Sequence, residues 1–233
     1  MNLLILSLAP VFIIGGYIYF RDKYEKEPIR LLLLALFLGA LTVIPILFLE
    51  SFLESFTNLF PGIAAAAWKA FVVAAFSEEL FKYVALYLLI WKSREFNEKF
   101  DGIVYAVFVS LGFAAVENIL YVTDNGYGTG LMRAVTAVPA HAIFGITMGF
   151  YFGLARFYPK KENQLKLKAL FYPIVLHGIY DFILFTGIEW LIIVFVGFLI
   201  FLYFSGLKRI KELSAQSIYN TDYNLLNEKF NKK

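Results

Sequence analysis

The chain has 233 residues, of which 60% are hydrophobic types and 17% charged, with a formal net charge of +3. That apolar share exceeds a soluble domain's, and the charges are clumped between long apolar stretches, which excludes ordinary soluble domains and marks an integral membrane protein. The basic residues sit at helix ends rather than in one patch, so no nucleic-acid partner is expected, and the lack of cysteine excludes disulfides, thiolate nucleophiles and Cys-based zinc sites.

The apolar pattern predicts an all-α fold, a polytopic transmembrane helical bundle of about seven spans. In chain order these run over residues 3–20, 31–52, 64–91, 102–122, 131–157, 167–187 and 189–206, each close to the ~20 residues a bilayer requires. Residues 1–206 are read as the transmembrane domain and 207–233 as a polar cytoplasmic tail. The first span lacks a preceding positive region, so it is expected to stay rather than be cleaved as a signal peptide. Lys and Arg cluster after the first, third, fifth and seventh spans: Arg21 to Arg30, Lys92 to Lys99, Arg156 to Lys168, and Lys208 onward. The intervening connections carry almost none, only Arg133 lying between the fourth and fifth. This alternation places the N-terminus outside and the C-terminus in the cytoplasm. Arg133 and Asp124 are read as interfacial, and Asp101-Gly102 as a helix start with an N-cap.

Glu78, Glu79, Lys82, Glu117, His141, His177 and Asp181 are ionisable residues lying inside these spans. An acid or lysine at mid-helix costs about 2.5–3.5 kcal/mol on insertion scales, so function is the default explanation. With the orientation above, four helices place these groups between the membrane centre and the outer face. Glu78 and Lys82, like His177 and Asp181, are four apart and share a helix face. Glu78 and Glu79 point about 100° apart, which argues against a common partner. Pro139 and Pro173 precede the histidines inside their spans and can open the backbone toward a cavity. The bland alternatives are an intrahelical Glu78–Lys82 pair, histidines as interhelical hydrogen-bond donors, a structural His177–Asp181 pair, and Glu117-Asn118 as packing contacts.

Carboxylates with imidazoles and no thiol suit water activation. A Glu in an apolar pocket fits a general base, an imidazole can hold water or donate to an oxyanion, and two His with two Glu could ligate zinc with one position open. HExxH, GxSxG and GxGD motifs are missing. A proton- or ion-coupled transporter would use similar residues, although no internal repeat is visible. A non-catalytic membrane scaffold is the third reading.

Four stretches, Phe76-Ser77-Glu78-Glu79-Leu80-Phe81-Lys82, Gly112-Phe113-Ala114-Ala115-Val116-Glu117-Asn118, Pro-Ala-His ending at His141, and His-Gly-Ile-Tyr-Asp from His177 to Asp181, resemble the ordered motifs of PrsW-type intramembrane proteases. The likeness extends from about Arg21 to Asp181. It is similar also to the CAAX prenyl endopeptidase and bacteriocin-processing superfamily. That group shows EExxxR and HxxxN, whereas Lys82 stands one position earlier here and Asp181 stands where Asn would. The resemblance implies a bacterial cell-membrane protease making the first cut in a membrane-anchored anti-sigma factor, outside the cytoplasm, as part of a stress response. On that reading Glu78 activates water and Glu79 orients it. His141 shares the water, and His177 with Asp181 stabilises the oxyanion. Lys82 balances charge, while Glu117 and Asn118 support the site. Zinc, if used, would be drawn from Glu78, Glu117, His141 and His177.

Overall fold

The structure, a computed structural model, describes residues 3–217 and Asn220, and the regular structure among them is entirely helical. In order come α1 (Leu3–Arg21), α2 (Ile29–Leu41), α3 (Val43–Glu54) and α4 (Ile63–Ala67). A π-helical stretch, Trp68–Phe76, leads into α5 (Ser77–Ile90). Then follow α6 (Asp101–Val135), α7 (Ala137–Phe157), α8 (Glu162–Phe185) and α9 (Leu191–Ala215). α9 continues past the expected boundary at 206. Of the remaining tail, residues 218, 219 and 221–233 lie outside the described residues.

Among the described residues, five stretches are long and apolar enough to cross a membrane: Leu3–Arg21, Ile29–Leu59, Asp101–Phe157, Pro159–Phe185 and Leu191–Ala215. The difference from the seven expected has two physical causes. Asp101–Phe157 is 57 residues, about 85 Å if straight, and contains two expected crossings, between which the chain turns back at Gly126. The segment from α4 through α5 is interrupted by the π-helical stretch and carries Glu78, Glu79 and Lys82, so it is not an ordinary apolar span.

α6 and α7 form the centre. Every residue from Asp101 to Ala114 and from Ala137 to Phe150 is buried, which is why both segments lack a polar face. Their close crossing depends on glycine. A methyl group on Gly149 would lie 2.2 Å from the Gly102 carbonyl oxygen, and one on Gly112 would lie 2.0 Å from that of Leu36 on α2. Gly145, Gly149 and Gly153, four apart, give α7 one smooth face for this approach. The outer helices turn Phe48, Leu88 and Ile193 outward, each about three-quarters exposed, as lipid contact requires.

At the far end of α5 from the buried ions, the 22–28 and 91–100 connections dock together. Asn97 Nδ2 donates to Glu25 Oε1 at 3.0 Å, the Glu27 amide donates to Asp22 Oδ2 at 3.3 Å, and the Tyr105 hydroxyl donates to Glu27. Asp101 begins α6, but its carboxylate does not cap the helix as expected. Oδ2 instead turns back to accept the amides of Asn97 and Glu98, at 2.9 and 2.7 Å. Burial pushes the Asp22 carboxyl from 3.8 up to about 6, with Lys26 opposing and Glu25 and Glu98 adding to the rise. Burial likewise pushes Glu27 from 4.5 up to about 7, against the Tyr105 hydrogen bond. Both groups favour the protonated form when folded, so their stabilisation is complete below pH 4 and is lost as pH rises through 6 to 7. The melting temperature of detergent-solubilised protein should therefore carry a component that falls across that window. Asp22→Asn should flatten it, and an unchanged slope would show that Asp22 does not contribute.

Candidate active site

The π-helical stretch widens the turn just before Ser77, the position at which such irregularities serve functional residues. Phe71 from this stretch packs against α8 at Gly178, where a methyl group would meet the ring at 2.1 Å. The glycine next to His177 thus lets α8 approach the start of α5. From α5 come Glu78, Glu79 and Lys82, all buried, Lys82 and Glu79 fully so.

Lys82 Nζ lies 2.9 Å from Glu78 Oε2 and 2.9 Å from Glu79 Oε1. The expectation that two adjacent glutamates would not share a partner is therefore corrected. Lys82 sits about 40° around the helix from Glu78, between the two acids, so it reaches both. The same ammonium stands 3.4 Å from His141 Nδ1 and 4.0 Å from the centre of the Phe113 ring.

The two histidines are arranged alike. His141 Nε2 faces Glu117 Oε2 at 2.9 Å, and His177 Nε2 faces Asp181 Oδ2 at 3.2 Å. Their Nδ1 atoms point inward, His177 Nδ1 lying 3.1 Å from Glu79 Oε1 and 3.9 Å from Glu78 Oε2. Phe144 stacks on the His177 ring at 4.9 Å and holds its plane. Both nitrogens of each ring therefore have a partner, His141 lying between Glu117 and Lys82 and His177 between Asp181 and Glu79. Pro139 falls in the first turn of α7, where helical amides have no intrahelical acceptor, so it opens no gap before His141.

Arg133, read from the sequence as interfacial, also joins the ion group. It follows Glu117 by 16 positions, about 24 Å along a straight helix. Gly126 breaks α6 with φ 81° and ψ −164°, a conformation that suits glycine, and the chain turns back. Arg133 then binds Glu117 Oε2 at 2.6 Å and Asn118 Oδ1 at 2.8 Å, while Asn118 Nδ2 donates to the Ser7 carbonyl at 2.8 Å.

These groups border a cavity of about 850 Å³. Glu78, Glu117, His141, His177 and Asp181 reach its wall, whereas Glu79 and Lys82 lie behind it. Glu50 on α3 also lines it, a carboxylate that sequence reasoning missed. It stands two residues before the expected end of the 31–52 span, where an acid is ordinary and gives no signal.

One donor atom from each of Glu78, Glu79, His141 and His177 lies within 4.8 Å of all the others, a set that could hold a metal ion. This group takes in Glu79 and not the Glu117 of the expected set, since Glu117 lies on the outer, Nε2 side of His141. Three features fit a divalent cation. Each histidine is oriented by a carboxylate on the nitrogen facing away from the group, as ligating histidines are. Glu79 Oε2 is buried without a hydrogen-bond partner. The bonded network holds four carboxylates, Glu78, Glu79, Glu117 and Asp181, against the two cations Lys82 and Arg133. With neutral imidazoles, a divalent ion would balance it.

The sequence pattern of the PrsW family of intramembrane metalloproteases matches residues 27–206. A protein named Protease PrsW from Geobacillus kaustophilus is 38% identical over 213 residues, covering 91% of this chain and 92% of the relative. The Bacillus subtilis Protease PrsW is 38% identical over 207 residues, covering 88% and 93%. The one from Clostridioides difficile is 35% identical over 223 residues, covering 93% of each. No solved structure matches. Extent and identity together place this peptidase of the membrane, with the glutamates and histidines its four motifs bring together, in the PrsW family of intramembrane metalloproteases.

Proposed function

We propose that this protease cuts a peptide bond of a membrane-anchored anti-sigma factor by activating water at Glu78, outside the cytoplasm of a bacterial cell. The observation carrying this reading is that Glu78 alone of the two adjacent glutamates reaches the cavity, while also touching the buried ion group. Glu78 takes the proton from water and is placed to pass it to the leaving amine. Glu79 acts from behind, fixing Lys82 and the His177 ring. Glu117 and Asp181 fix the outer nitrogen of each imidazole, and Arg133 and Asn118 tie Glu117 to α1. A metal held by His141 Nδ1, His177 Nδ1 and the adjacent glutamates would polarise the water and the scissile carbonyl. The Lys and Arg distribution supports an extracellular N-terminus and a cytoplasmic tail from 207.

The test is co-expression with tagged, membrane-anchored anti-sigma factors, followed by cleavage in proteoliposomes with and without a zinc chelator. The expected result is a cut product on the outer side of the anchor, lost on chelation and restored by zinc. Metal analysis of the purified protein should find about one equivalent, depleted in a His141→Ala, His177→Ala double variant. Undiminished cleavage under chelation, with no bound metal, would remove the metal assignment. A soluble anti-sigma factor cut equally well would remove the substrate assignment.

A further inference from the structure

The cavity wall carries one carboxyl group, Glu50, that neither the catalytic arrangement nor an ion pair uses. Along α3, Val43, Ile46, Leu47, Glu50 and Glu54 all line it, and their spacing of three and four defines one helix face. Val43 and Ile46 pack with Phe113, the ring beneath Lys82, so this face begins at the depth of the ion group. It ends at Glu54, which pairs with Lys69 at 2.6 Å. Glu50 lies between the two.

Every other charged group on the wall has a partner: Glu54 with Lys69, Arg133 with Glu117, Asp181 with His177, and Glu78 with Lys82. Glu50 has neither a hydrogen bond nor an ion pair among the described residues. A carboxylate within the Ile29–Leu59 membrane stretch is costly without a counter-charge, and α3 could carry an apolar residue there. The lining is also acidic in sum, Glu50, Glu54, Glu78, Glu117 and Asp181 against Lys69 and Arg133. Lys82 and Glu79 behind the wall offset each other, and even with a divalent ion in the ion group one negative charge, that of Glu50, would be left over; a low-dielectric cleft of one sign concentrates the opposite charge.

We propose that Glu50 is a specificity-determining residue that binds a Lys or Arg side chain of the substrate, close in sequence to the bond that is cut. This rests on the proteolytic reading of the same cavity. A backbone amide could also satisfy a carboxylate, but it would not offset the surplus of negative charge. A bound basic side chain would extend along the α3 face toward Glu54 and Lys69, so the preference should fall at a single position on one side of the scissile bond.

The test uses single-span reporter proteins, tagged at both ends and randomised across the membrane boundary, co-expressed with the full-length chain. Cut products are sequenced. The wild type should enrich Lys or Arg at one position. Glu50→Asp should keep that preference, Glu50→Gln should lower it by about tenfold, and Glu50→Lys should turn it toward Asp or Glu. Asp serves as the conservative control, since a merely structural role would not make the preference follow the charge. Cleavage by all four proteins with one shared preference would overturn the proposal and leave the proteolytic reading intact. Failure of the wild type to cut any reporter would overturn both.

Discussion

Glu78→Gln should lower the rate of substrate cleavage by at least about 10²-fold, the low end of what a positioned general base supplies, while the protein still inserts and folds. The amide keeps the shape and an acceptor oxygen for Lys82, so the buried network retains a partner at 2.9 Å. What it loses is the ability to take a proton at the cavity wall. Glu79→Gln should behave differently. Glu79 does not line the cavity, and it bonds both Lys82 and His177, so its replacement should lower stability and activity together. The measurement is initial cleavage rate in proteoliposomes alongside unfolding monitored in detergent. A Glu78→Gln enzyme within severalfold of the wild-type rate would exclude Glu78 as the base.

Lys82→Met should be among the most destabilising single changes in the chain. The ammonium is fully buried and is held by two carboxylates at 2.9 Å. Methionine fills similar space but leaves both carboxylates without their cation. Breaking a buried ion pair from one side costs about 3–5 kcal/mol, because the uncompensated charge remains. Adding Glu79→Gln to Lys82→Met should recover part of that loss, since it removes one of the stranded charges. The coupling is read from a double-mutant cycle on unfolding free energy. Additive effects, or a Lys82→Met protein as stable as the wild type, would show that the ion group does not hold α5 in place.

Much of the site was legible in the residues. Glu78, Glu79, Lys82, Glu117, His141, His177 and Asp181 were conspicuous because lipid makes any ionisable group expensive, and the structure brings all seven together with Asn118. The signal failed where cost gave no contrast. Glu50 and Arg133 stand near expected helix ends, where a charge is cheap, so Glu50 drew no notice and Arg133 was read only as interfacial. The error about Glu78 and Glu79 came from treating side chains as fixed spokes. A lysine placed between them in angle reaches both. The group that could hold a metal takes in Glu79 rather than Glu117 for a related reason. Spacing shows which residues share a helix, but not which nitrogen of a ring faces inward.

What the sequence alone determined is the solvent and the class of structure. Long apolar runs can satisfy their backbone in lipid only as helices, and charges that survive inside them must be compensated. Tertiary structure decided how that compensation is arranged. The glycines that bring α6 against α7 and α2, the break at Gly126 that returns Arg133 to Glu117, and the π-helical turn before Ser77 each set distances of a few ångströms between residues far apart in the chain. Such distances depend on which backbones can touch, and helical periodicity carries no record of them.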